Sequence, residues 1–93
     1  MTTFGEQSVT DTDLMRELRA QASMLRPRLF AVYGCHRTAL HPFLGWGMQF
    51  TDEQQALFYA PDRNEVWQSS SAEQVLATHR RLGDARLTWL DHP

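Results

Sequence analysis

The stretch Val32–Phe50, VYGCHRTALHPFLGWGMQF, decides how the chain is read. A lone cysteine stands beside a histidine, a second histidine follows five residues later, and then comes glycine–tryptophan–glycine. Either this is a metal or catalytic cluster, or it is a β-hairpin. Neighbours on a strand point to opposite faces, so Cys35 and His36 do not readily grip one ion. Zinc sites need three or four converging ligands, and His41, next to Pro42 in the connecting segment, does not complete such a set. The hairpin is the better reading, and neither a metal nor a cofactor is expected.

A turn centred on Leu40 sets Arg37 opposite Phe43, His36 opposite Leu44 and Cys35 opposite Gly45. It continues with Gly34 opposite Trp46, Tyr33 opposite Gly47 and Val32 opposite Met48. Twice in this register a large aromatic falls across from a glycine, an arrangement that covers exposed backbone. The register matters because a slip of one residue exchanges the two faces of a strand.

Outward from the hairpin, TDTDLMRELRAQASMLRP reads as a helix. Thr10 or Asp11 is placed to cap it, Leu14, Leu18, Ala22 and Leu25 repeat at helical spacing, and Pro27 stops it. ALFYA and EVWQS read as two further strands, separated by the turn-like clusters TDEQQ and PDRN. SSSAEQVLATHRRLG reads as a second helix, with Ser70 and Glu73 or Ser71 and Gln74 as a capping box. ARLTWLD closes the chain as a strand. The predicted order is α-β-β-β-β-α-β, an α+β fold with a mainly antiparallel sheet: a four-stranded meander plus a C-terminal strand, with two helices. Residues 1–9 read as a loose tail and 10–93 as one small domain, since 93 residues leave no room for two.

The expected register divides the side chains into two faces. Phe30, Val32, Leu44, Trp46, Met48, Phe50, Phe58 and Trp67 form a bulky apolar face on which the helices should pack. Leu29, Ala31, Tyr33, Cys35, Phe43, Gly45, Gly47, Gln49, Leu57, Tyr59 and Val66 form the other. An antiparallel sheet commonly leaves one face wet and polar. This one is far from polar, which marks a subunit interface, a partner site or a ligand platform unless a helix covers it.

Composition narrows the function further. Formal net charge is −2, so there is no global basic field for nucleic acid. His79, Arg80, Arg81 and Arg86 form only a small basic patch, and nucleic acid is not an expected partner. All nine basic residues are arginine, which excludes lysine-based Schiff-base chemistry. Isoleucine is absent too, and together these absences suit a GC-rich bacterial genome. The single cysteine forms no intrachain disulfide, and it reads as a buried small hydrophobe more readily than as a nucleophile. The N-terminus carries neither signal-peptide pattern nor a membrane-length apolar run, so a cytoplasmic location and no membrane partner are expected. No paired carboxylates or phosphate-binding glycine loop stand out, and GWG lacks the strand-to-helix context such a loop needs.

The expected function is therefore a small non-enzymatic interaction or regulatory module. Its partner would be another protein or itself, as a homodimer, through Tyr33, Phe43, Gly45, Gly47, Gln49, Leu57 and Tyr59. The alternative is a small-molecule-binding protein or small enzyme. The Tyr33/Gly47/Tyr59 face would then cradle a flat ligand, anchored by Gln49 and the tyrosine hydroxyls.

Overall fold

The computed structural model describes residues 9–38, 41–50 and 54–90. Helix α1 spans Val9–Met24, and the Leu25 N–H donates to the Gln21 carbonyl to close its last turn before Pro27. Four strands follow: β1 (Arg28–His36), β2 (Pro42–Phe50), β3 (Gln55–Ala60) and β4 (Glu65–Ser69). Helix α2 covers Ala72–Arg80 and β5 covers Gly83–Trp89. The order is the one predicted. The strands form one sheet in the order β4-β3-β2-β1-β5, with every neighbouring pair antiparallel. The last strand thus returns to pair with β1, placing the meander's first strand inside the sheet.

Helix α2 is capped at both ends. Ser71 is its N-cap, in extended backbone, and its hydroxyl accepts from the Gln74 N–H, one of the first-turn donors that has no partner within the helix. The Ala72 N–H is satisfied from outside, donating to Gln49 Oε1 at 2.8 Å. At the other end the Arg37 guanidinium donates to the Arg80 and Arg81 carbonyls. Last-turn carbonyls lack intrahelical donors, so a cation there suits both hydrogen bonding and the helix dipole.

One face of the sheet packs on α2. Its core is Phe30, Val32, Phe43, Ala56, Phe58, Ala60 and Ala85 beneath Ala72 and Val75, with Trp67, Leu76, Leu87 and Trp89 around it. Alanines at 56, 60, 72 and 85 let the short helix approach closely, while Phe30 and Phe58 fill the centre, 0% and 1% exposed.

The β1–β2 register differs from the expected one by three residues. Phe30 stands opposite Gly47, Ala31 opposite Trp46, Val32 opposite Gly45, Tyr33 opposite Leu44 and Cys35 opposite Pro42. The cause lies at the end of β1. The His36 N–H bonds the His41 carbonyl, while the Arg37 N–H turns away to the Leu82 carbonyl, carrying Arg37 out of the β1–β2 ladder toward α2. The expected turn centre, Leu40, lies outside the described residues. An odd shift moves every β2 side chain to the other face. Phe43, Gly45, Gly47 and Gln49 therefore lie under α2, and Leu44, Trp46, Met48 and Phe50 lie on the opposite side. The expected faces of β1, β3 and β4 are as predicted.

A second difference concerns α1, which was expected to pack on the sheet with α2. It makes no substantial contact with any other element, and every side chain from Asp13 to Met24 is exposed. Among the described residues one helix covers the sheet, on one side.

Candidate functional site

The site is the helix-free face, built from five strands by the alternation of side chains. β1 contributes Leu29 and Tyr33, β2 contributes Leu44, Trp46 and Met48, β3 contributes Leu57 and Tyr59, and β4 contributes Val66. The register brings them together in cross-strand pairs: Leu29 with Met48, Tyr33 with Leu44, Met48 with Leu57, Trp46 with Tyr59, and Tyr59 with Val66. Such pairs on one face are the units that stabilise a sheet, so the patch is a continuous surface.

It is also open. Trp46 is 46% exposed, Tyr33 and Tyr59 are each 41% and Val66 is 66%, with Leu29 and Leu44 between 44% and 47%. Arg86 and Thr88 on β5 and Gln68 on β4 share the face by register and border it with polar groups. An apolar centre within a polar rim is the anatomy of a protein-contact surface. At its middle, Leu29, Trp46, Met48, Leu57, Tyr59 and Val66 line a shallow depression of about 330 Å³.

The tight turn between β3 and β4 helps place Tyr59. Arg63 and Asn64 N–H groups bond the Ala60 and Pro61 carbonyls, and Asn64 takes a left-handed φ of 55°, which asparagine tolerates better than most residues. The Tyr59 hydroxyl donates to Asn64 Oδ1 at 3.3 Å, which holds the ring across the face.

Three of the sequence-derived site residues, Tyr33, Leu57 and Tyr59, lie on this face. The other four do not. Gly45 and Gly47 sit beneath the aromatic core, where a methyl group at Gly47 would strike the Phe30 ring and the Leu57 carbonyl oxygen. Phe43 is buried beside His79, with ring centroids 5.3 Å apart. Gln49 is occupied at the α2 N-terminus. The residues missed were Leu44, Trp46 and Met48. A signal for them was present: Phe30 and Phe58 flank β2 on the core side, so β2 must be small there, and glycines 45 and 47 are its small residues.

The core side holds the one buried polar side chain among the described residues, His79, 5% exposed. It stacks on Trp67 with centroids 4.7 Å apart and meets Phe58 edge-on. Its Nδ1 lies 3.0 Å from the Val75 carbonyl, the geometry of an Nδ1–H donor in a neutral ring. Burial lowers its pKa below 6.5, and nearby Arg63 and His36 act in the same direction, against the Val75 hydrogen bond and Asp62. This is the setting of a structural histidine. His36 and His41 stack at 4.5 Å nearby. Among the described residues no three His, Cys, Asp or Glu side chains are grouped to hold a metal ion.

The chain matches no family model, no curated protein and no solved structure. No helix among the described residues is long and apolar enough to cross a membrane, which says nothing about spanning by strands.

Proposed function

We propose that this chain is a small non-enzymatic interaction module that binds another protein, or a second copy of itself, through the helix-free face of its sheet. One observation carries the reading: six large apolar side chains, Leu29, Tyr33, Leu44, Trp46, Tyr59 and Val66, are exposed together on that face. At roughly 200 Å² for each full-sized side chain, their exposed fractions amount to about 600 Å², the upper end for a soluble monomer's largest apolar patch. Tryptophan and tyrosine are also the side chains that most often dominate binding at contact surfaces. Its lone cysteine and lack of a disulfide framework suit a reducing compartment, in line with a cytoplasmic module.

The depression at the centre of the patch supports a second reading, a cradle for a flat apolar ligand. Its volume of about 330 Å³ is at the small end for such sites. Its polar anchors are few, because Gln49 lies on the other side and the Tyr59 hydroxyl is engaged with Asn64. The contact surface is the stronger reading.

Native mass spectra of the chain and of Tyr59→Ala test the two. A species at twice the 10.8 kDa protomer that Tyr59→Ala reduces to monomer, with unchanged circular dichroism, supports the contact surface. A monomer carrying extra mass that Tyr59→Ala releases supports the cradle. Unfolding of Tyr59→Ala would show that the face is core, and would sink both.

A further inference from the structure

Resting on the contact-surface reading, we infer that the sheet face is covered by α1 of a second copy, exchanged reciprocally about a two-fold axis. Among the described residues two apolar surfaces, the α1 stripe and the sheet face, have no element packed on them.

Helix α1 presents Leu14, Met15 and Leu18 on a stripe that Leu25, just past its end, continues, each 46–53% exposed. Most helical stability in proteins comes from packing of such a stripe against another element rather than from the helix alone. Among the described residues no element packs on α1, so its stripe needs a surface to dock on. The sheet face supplies one of matching size. Leu14 to Leu25 spans about 16 Å along a helix, and strands β1 to β4 span about 14 Å across at the usual spacing.

The chain's own α1 points away from its sheet. Only Leu25, Arg26 and Pro27 join it to β1. Proline fixes its own φ, and it biases the residue before it toward extended backbone, which makes this corner stiff. The longest dimension is 61 Å, close to α1 and β1 laid roughly end to end at about 24 Å and 30 Å. The radius of gyration is 18.6 Å, where a compact chain of this length would have about 12 Å. A helix held clear of its own sheet by a short, stiff corner is poised to reach another copy, and exchange of an identical element is a low-cost route to a dimer.

The area is sufficient. At the same roughly 200 Å² per side chain, the four stripe residues expose about 400 Å² beside the patch's about 600 Å², so each docked helix removes up to about 1,000 Å² from water. Two reciprocal docks give about 2,000 Å², the scale of obligate homodimers, where a single contact needs about 1,000 Å².

A mixing experiment tests the inference on the full chain by light scattering at tens of micromolar. One variant, Leu14→Gln with Leu18→Gln, removes the helix stripe but keeps good helix formers. The other, Trp46→Arg, changes an exposed side chain at the centre of the face. The unaltered chain is expected to be a dimer, and each variant alone a monomer, its dimer dissociation constant raised about 100-fold or more by the loss of apolar anchors. Mixing the two variants is expected to restore a dimer, because the intact α1 of one still fits the intact face of the other. If the helix variant stays dimeric while Trp46→Arg is monomeric, the face binds but α1 is not its occupant, so the inference fails and the contact surface stands. If the unaltered chain is a monomer, the second copy is ruled out as occupant. A dimer untouched by either variant removes both ideas.

Discussion

Adding one methyl group at Gly47 separates the two ways β2 could face. In the structure the methyl points toward α2, into the gap bounded by Phe30 and Phe58, whose ring centroids lie 6.3 Å apart. It would strike the Phe30 ring and the carbonyl oxygen of Leu57 on the neighbouring strand. Overpacking of a filled core costs about 1–3 kcal/mol, and the upper part of that range applies because a ladder carbonyl cannot rotate aside as a ring can. Replacing glycine with alanine returns about 0.5–1 kcal/mol by restricting the unfolded chain. The net expectation is a loss of about 2 kcal/mol, or a fall in Tm of about 8–16 °C for a domain this small. With Gly47 on the open face, opposite Tyr33, the methyl would meet solvent and the same substitution would be neutral or stabilising. The two arrangements therefore differ in sign. Urea denaturation followed by tryptophan fluorescence, with a thermal melt by circular dichroism, reads the difference. Both belong at one fixed protein concentration, since self-association would make the midpoints depend on it. A Gly47→Ala midpoint at or above that of the unaltered chain would refute the packing of β2 beneath α2.

Other expectations follow from the core side. His79 is buried neutral with a lowered pKa, so below about 6.5 the unfolded chain binds a proton that the folded chain resists. The contribution of this residue to stability is complete above 6.5. It should be lost as pH falls from 6.5 toward the lowered folded value, by at most about 1.4 kcal/mol per pH unit. Comparing urea midpoints of the unaltered chain and His79→Phe between pH 7.5 and 5 checks this, and equal slopes would contradict it. Gln49→Ala should cost about 1 kcal/mol by leaving the Ala72 N–H without its acceptor, while Gln49→Glu keeps an acceptor there and recovers most of the loss. If Gln49→Ala instead leaves the denaturation midpoint alone and disrupts association, its place at the α2 N-terminus is wrong.

Much of the fold was legible because short-range signals agree. Alternation and turn clusters mark β3 and β4, the Ser71–Gln74 pair marks the start of α2, and Pro27 marks the end of α1. The β1–β2 register was not legible from the hairpin alone, because it depends on Arg37 leaving the ladder for the C-terminal end of α2, a contact between residues more than 40 positions apart. A glycine-rich strand also specifies register weakly by itself: aromatic-over-glycine pairing is satisfied by Tyr33 over Gly47 or by Phe30 over Gly47, and only the crowding of Phe30 and Phe58 beneath α2 favours the second. Three of the seven proposed site residues sit on the open face because β1 and β3 were read with the right parity. The other four fell with β2. The exposure of α1 was hidden as well, since an apolar stripe marks a face suited to packing and does not say what it packs on.

Radical or carbene footprinting of the Trp46 side chain, read by mass spectrometry across a dilution series, tests the contact surface most directly. Trp46 is 46% exposed in the isolated protomer and lies at the centre of the patch. Strong protection at high protein concentration, released on dilution and absent at all concentrations in Leu14→Gln/Leu18→Gln, is the expected result. Equal labelling of Trp46 at every concentration, matching its exposure in the single chain, would contradict the claim that a second copy covers this face.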